Sequence, residues 1–228
     1  METTLKELLE SFSGTTPLLL LPDFVFFPQT AQPFHILESR FLELIKDCTA
    51  GERMLTICLL KGEQDADQKG PPPFSSIATM GYINDVQLEE DEQLNILVTG
   101  LVKVRVEEVD SDRSYRRGVV TPLTEFSQVT DAEHKRQSIL HLFQSMLEQA
   151  QVIGNLEILH EPNIPLQMLA HVIISALPIA AEEKQKLLEL QSLELRIDIL
   201  LNFLESGLLS MGAMGPFEPL LPTHPWWN

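Results

Sequence analysis

Basic residues are scarce in this sequence. Among 228 residues, 16 Lys and Arg stand against 33 Asp and Glu, a formal net charge of −17. The excess is spread along the chain, so no segment offers the positive field that phosphate binding needs, and nucleic acid and anionic membranes are poor partners. One basic cluster exists, Arg113 with Arg116 and Arg117, and it reads as solvated turn residues. Cysteine is also rare: Cys48 and Cys58 stand without neighbouring Cys or His ligands, which reads as two buried free thiols rather than a disulfide framework or a metal site. Long apolar runs are missing, since Leu18–Leu21 is far too short to span a bilayer. The opening METTLKELLESFSG has acids where a secretory signal needs a basic start, so the expected location is cytoplasmic. Catalytic motifs are absent as well. There is no G-x-x-x-x-G-K-[ST] loop to cradle phosphates, no G-x-S-x-G and no H-E-x-x-H. His160-Glu161-Pro162 is a lone His-acid pair, too little for a metal. The expectation is no cofactor, no metal and no catalytic residue.

What is present is a globular composition, 44% hydrophobic and 21% charged. The densest signals lie in residues 18–48. Leu18–Leu21 stops at Pro22, an aromatic loop with Phe24, Phe26 and Phe27 closes on Pro28, and Pro33–Ile36 is extended. A helix follows, with Phe41, Leu44, Ile45 and Cys48 on one face at three- and four-residue spacing. Ahead of this, residues 1–13 form a short amphipathic helix through Leu5, Leu8, Leu9 and Phe12.

Met54–Leu60 is apolar without alternation, as in a strand covered on both faces. Lys61–Phe74, with three consecutive prolines, reads as a loop. Ile77–Leu88 and Leu94–Gly100 are strands about the acidic turn Glu89–Glu92. In Val102–Val106 the valines alternate with Lys103 and Arg105, the period of a strand with one wet face. Another strand starts near Tyr115. From Thr130 the period becomes helical, with Thr130 and Glu133 spaced as a capping box. Ile139, Leu140, Phe143, Met146 and Leu147 form one apolar stripe. Leu166–Ala176, Glu182–Leu190 and Leu193–Glu205 are three further helices, the last with Leu195, Ile199 and Leu200 inward and Gly207 just past its end. Met211–Asn228, closing on Trp226-Trp227, reads as a tail.

The residues of 18–48, in particular Pro33-Phe-His-Ile-Leu-Glu-Ser-Arg-Phe41, resemble the opening of the LON domain, the substrate-binding domain at the N-terminus of Lon-type ATP-dependent proteases. Four later segments carry the likeness onward in order: Ile77–Ile83, Leu94–Val106, Tyr115–Leu123 and Leu177–Glu205. In the family, Gly100 of the second segment is the glycine of a hairpin that lets the chain turn back. Two departures are local. Gln29 stands where the family commonly has glycine, and Phe41 replaces a tyrosine in Ile-Phe-Glu-x-Arg-Tyr, while Glu38 and Arg40 remain as a brace at the helix start.

The resemblance implies an α+β fold: a PUA-like small β-barrel subdomain with one short helix, followed by an α-helical bundle subdomain. The expected divisions are an extension at 1–16, the barrel at 17–128, the helices at 129–207 and a flexible tail at 208–228. It implies a non-catalytic module that recognises unfolded or tagged polypeptides, an adaptor or client-binding role in protein quality control, with a separate ATP-dependent protease as a further partner. The expected contact surface is Phe24, Phe26, Phe27 and Phe34, although phenylalanines so placed also serve as core. Two other readings stand beside it: a nucleic-acid binder of PUA type, which the charge disfavours, and an orphan hydrolase, for which no motif is found. Oligomeric state is not legible.

Overall fold

The computed structural model describes residues 5–62, 71–89, 93–151, 159, 161 and 163–210. Residues 63–70 of the proline-containing loop, Glu90–Glu92, His160, Pro162 and the tail from Met211 with Trp226-Trp227 lie outside them. The chain divides into two compact units, Met1–Leu123 and Thr124–Asn228. It is a mixed α+β protein with a six-stranded sheet and six helices among the described residues.

In the N-terminal unit the strands are β1 (Thr15–Leu21), β2 (Ala31–Ile36), β3 (Met54–Leu59), β4 (Ile77–Leu88), β5 (Leu94–Val109) and β6 (Arg117–Pro122). Their order is β2-β5-β4-β3-β1-β6, and β6 pairs again with β5, so the hydrogen-bonded pairings run round a ring of five strands. β1 and β3 are parallel and the other pairs antiparallel. Strand β2 pairs with β5 alone. Gly100 donates to the Thr30 carbonyl at 2.8 Å. Bonds in such a ladder fall on alternate residues, so Gln32, Phe34 and Ile36 bond to β5 and Pro33, at mid-strand, turns its backbone outward.

Each apolar pattern finds a partner face. Helix α2 (Ser39–Ala50) buries Phe41, Leu44, Ile45 and Cys48, the four residues its spacing predicts. Every residue of β3 is buried because both faces are covered. Leu55 and Ile57 pack with α2, while Met54 and Cys58 face a second cluster. That second cluster receives Leu8, Leu9 and Phe12, so the N-terminal helix α1 (Leu5–Ser11) docks on the unit. Both cysteines are buried free thiols, and burial, ahead of the Asp47 charge, pushes Cys48 up to about 12. The Glu38–Arg40 brace forms at 2.8 Å at the entry to α2, with both side chains more than half exposed, so it adds little stability.

Three expectations fail in this unit. The chain does not turn at Gly100; β5 runs through it for 16 residues, with a bulge opposite Met80 and Gly81. Lys103 is not on a wet face but 1% exposed; it pairs with Thr79, itself fully buried where its hydroxyl donates to the Phe26 carbonyl of the aromatic loop. The last strand begins at Arg117, and Tyr115 is buried in the α2 cluster ahead of it.

The C-terminal unit holds α3 (Ala132–Gln149), α4 (Leu166–Ala176), α5 (Ala181–Glu189) and α6 (Leu193–Ser210). The capping box does not form. Asp131 takes the N-cap place in the left-handed region (φ 52°) and makes no side-chain cap, while the Thr130 amide donates to Glu194 on α6 at 3.1 Å. That bond and Lys135 hold the Glu194 carboxyl below the usual carboxylate range. Helix α6 is rotated from the expected setting. Leu193, Ile197, Leu200 and Leu204 face inward, Leu195 is 47% exposed, and Gly207 lies within the helix. The same rotation carries Arg196 inside, fully buried. Its guanidinium donates to Glu125 (2.5 Å), to the carbonyls of Leu187 (2.8 Å) and Leu190 (2.6 Å), and to His171 Nε2 (2.9 Å). A guanidinium only donates, so that histidine nitrogen carries no proton.

Candidate functional site

The aromatic loop is fixed by backbone contacts rather than by its rings alone. Gly81 and Gly100 face each other across β4 and β5. A methyl group at position 100 would stand 2.4 Å from the Phe27 carbonyl oxygen, and one at position 81 would stand 3.2 Å from the Phe26 ring. The paired glycines therefore form a shallow seat in the sheet on which the loop lies. Hydrogen bonds lash it there: Gln29 N–H to the Gly100 carbonyl (2.8 Å), Thr79 Oγ1 to the Phe26 carbonyl (2.6 Å) and Thr30 Oγ1 to the Phe27 carbonyl (2.7 Å).

Gln29 adopts φ 61°, the left-handed region that glycine enters freely and glutamine does not. The turn is thus kept in spite of the substitution, at a conformational cost. Gln29→Gly is expected to raise stability by about 0.5–1 kcal/mol, read as a higher urea midpoint with unchanged slope. A lower midpoint would show that the glutamine side chain contributes more than its backbone costs.

The structure corrects two of the four expected contact residues. Phe27 is 0% and Phe26 2% exposed, so both are core. Phe24 and Phe34 are half-buried at the edge of the same cluster. Phe24, Phe26 and Phe34 form one aromatic group: Phe34 meets Phe24 edge-on with centroids 5.4 Å apart and Phe26 at 6.1 Å. Phe27 is not part of it.

Around Phe24 and Phe34 the sheet register extends an apolar margin. Phe34, Ile96 and Val86 stand in one row across β2, β5 and β4, and Ile36, Leu94 and Leu88 in the next row on the same face. Ile96, Leu94 and Ile36 are buried, Val86 is half-buried, and Leu88 is 74% exposed. Leu37, one residue past β2, is 58% exposed. His35 and Asn95, in the row between these two rows, point to the opposite face, where His35 Nδ1 lies 2.6 Å from Asn95 Oδ1. Sequence reading missed Leu37 and Leu88. The available signal was position, each being a leucine at the solvent end of a strand.

The surface has no chemistry of its own. Its groups are apolar rings and methyls, suited to contact rather than bond cleavage. Among the described residues no group of three His, Cys, Asp or Glu is placed to hold a metal. No helix among them is long and apolar enough to cross a membrane. The basic cluster is dispersed. Arg116 pairs with Glu108, donates to the Pro72 carbonyl (2.7 Å) and stacks over Phe74 (4.7 Å), and Arg113 pairs with Asp47 at 3.3 Å.

A sequence model of the family described as "ATP-dependent protease La (LON) substrate-binding domain" matches residues 15–206. The chain is 23% identical over 189 residues to the Lon protease of Desulfosudis oleivorans, covering 80% of this chain and 23% of that protein. It is 26% identical over 195 residues to the Lon protease of Koribacter versatilis, covering 81% and 23%. The chain spans about a quarter of the length of these curated relatives. Among solved structures, the N-terminal domain of the Mycobacterium avium complex Lon protease matches with a TM-score of 0.65 at 19% identity, over 84% of this chain and 98% of that one. The Lon N-terminal domain protein from Xanthomonas campestris matches with a TM-score of 0.61 at 20% identity, over 83% and 98%. These likenesses bear on the fold.

Proposed function

The chain belongs to the LON substrate-binding domain family, and from that premise we propose that it is a non-catalytic module that grips unfolded or tagged polypeptides through the margin of Phe24 and Phe34. The observation that carries the reading is the exposure of apolar side chains along one sheet face, Val86 and Leu88 beside Phe34 with Leu37 at its end, in a chain whose surface is otherwise strongly acidic. Partly buried rings, Phe24 on the fixed loop and Phe34 on β2, lose little freedom on contact, so they serve as anchors.

The role is that of a cytoplasmic adaptor or client-binding factor in protein quality control, delivering clients to a separate ATP-dependent protease. The ring of strand pairings supports reading residues 17–128 as a PUA-like barrel, followed by the helical bundle at 129–207. The non-catalytic reading rests on the family being a substrate-binding domain and on the lack of a phosphate loop in these 228 residues.

The test is binding of a permanently unfolded model protein to the full chain and to a variant carrying Phe34→Ser and Leu88→Ser. The affinity is expected to fall about tenfold, as when part of the apolar area of two large side chains is lost from an interface. Equal binding by a variant that retains its circular dichroism would reject this surface.

A further inference from the structure

A cleft of about 340 Å³ opens on the N-terminal unit, and it shares no lining residue with the aromatic margin. Its walls are Ser13, Thr15 and Pro17 at the start of β1, Asp47 in the last turns of α2, and Tyr115 with Arg117 at the entry to β6. We propose that this cleft binds a carboxylate, with the Arg117 guanidinium as its counter-ion.

The charges in the cleft single out Arg117. Of the two carboxylates in its lining, Asp47 accepts the Tyr115 hydroxyl at 2.6 Å and pairs with Arg113 at 3.3 Å. Glu52 accepts the Ser13 amide at 2.9 Å and the Ser13 hydroxyl at 3.2 Å. Burial, then the bond to Asp47, raises the Tyr115 phenol above its ordinary range, so it remains a donor committed to that acid. Arg117 has no such partner: its Nε is buried and unbonded, and its guanidinium makes no ion pair among the described residues. Native proteins seldom leave a buried donor without an acceptor, and an Arg fork matches the two oxygens of a carboxylate.

The size and sign of the site narrow the ligand. The volume lies at the small end of ligand pockets, roughly 300–1,000 Å³, enough for a terminal residue or a small organic acid. The two acids in the wall and the charge of −17 oppose phosphates and other multiply charged anions. Pro17 and Met54 supply apolar wall for the stem that carries the carboxylate. That carboxylate is either a polypeptide's C-terminus or a free acid. The first would give the client-binding module a second, end-reading contact.

The test uses the full chain with a fluorescent hexapeptide bearing a free C-terminus, the same peptide as its amide, and propionate, with inorganic phosphate as a control. The free acid is expected to bind at least tenfold more tightly than the amide, an advantage that Arg117→Gln erases and Arg117→Lys restores in part. Propionate that raises the melting temperature of the wild type but not of Arg117→Gln, with no peptide binding, assigns the site to free acids. The acid-to-amide comparison is made on the unaltered chain, so it stands even if the Arg117 variants unfold. Equal behaviour of acid and amide, with no propionate effect or with phosphate as effective as propionate, overturns the proposal. The Phe34 and Leu88 variant is expected to keep the acid-to-amide difference, so failure of the apolar margin and failure of this cleft are read separately.

Discussion

Gly100→Ala destabilises the N-terminal unit by about 3 kcal/mol, at the upper end of the range for forcing one carbon into a packed interior. The added carbon meets backbone, not a side chain that can swing away: the Phe27 carbonyl oxygen is 2.4 Å from its position and the Phe27 carbonyl carbon and Pro28 Cα are 3.2 Å away. To admit it the loop has to rise from β5. The bonds joining Gln29 and Thr30 to Gly100 break, and Phe27, now fully buried, withdraws from the core. Gly207→Ala is the internal control. Nothing stands closer than 3.8 Å to its added carbon, and the residue is helical, so alanine there is neutral or stabilising by up to about 1 kcal/mol. Urea unfolding followed through the near-ultraviolet tyrosine signal reports the first unit, because Tyr82 and Tyr115 both belong to it. A loss below about 1 kcal/mol for Gly100→Ala would show that the loop yields without strain.

Arg196→Met destabilises the C-terminal unit by about 3–5 kcal/mol, the cost of leaving one member of a buried ion pair alone. Glu125, only 13% exposed, loses its cation, and the Leu187 and Leu190 carbonyls and His171 lose a donor. Methionine fills most of the volume, so the loss is electrostatic rather than a cavity. Arg196→Lys is expected to recover little, since one ammonium cannot reach four acceptors set for a planar fork. Adding Glu125→Gln to Arg196→Met returns part of the loss by removing the stranded charge, and thermal unfolding of the single and double variants measures the coupling. Strict additivity of the two substitutions would remove this pair as the centre of the unit.

Much of this architecture was legible where one period meets one face. The α2 stripe is legible in its spacing, the doubly covered β3 in its lack of alternation and the bounds of α4 in the flanking prolines, because each rests on local rules. The failures share a physical cause: a residue whose local options are equivalent and whose choice is made by a distant neighbour. Glycine suits both a turn and a close approach, and only the loop lying on Gly100 decides between them. Thr130 and Glu133 have the spacing of a cap, yet Glu194 from α6 takes the amide. In α6 the residues Leu193, Ile197, Leu200 and Leu204 fit an inward stripe at spacings of four, three and four, which was open to inspection. That stripe carries an arginine inside, and Glu125, His171 and the Leu187 and Leu190 carbonyls make it tolerable. For the candidate site, aromatic density is what the sequence shows of the loop. The side of each ring could not be read, because irregular backbone has no period.

The proline at the middle of β2 bears on what the border of this sheet can template. Extended chains readily align along the free border of a sheet and recruit further copies, the route to fibrous deposits. Pro33 turns its nitrogen outward on the one strand that has a single partner in the sheet, and that nitrogen carries no hydrogen to give. A guest laid along β2 finds a gap at the centre of its ladder. On the proposed reading, capture is thereby left to side chains, and a host so built would hold extended chains without templating their growth.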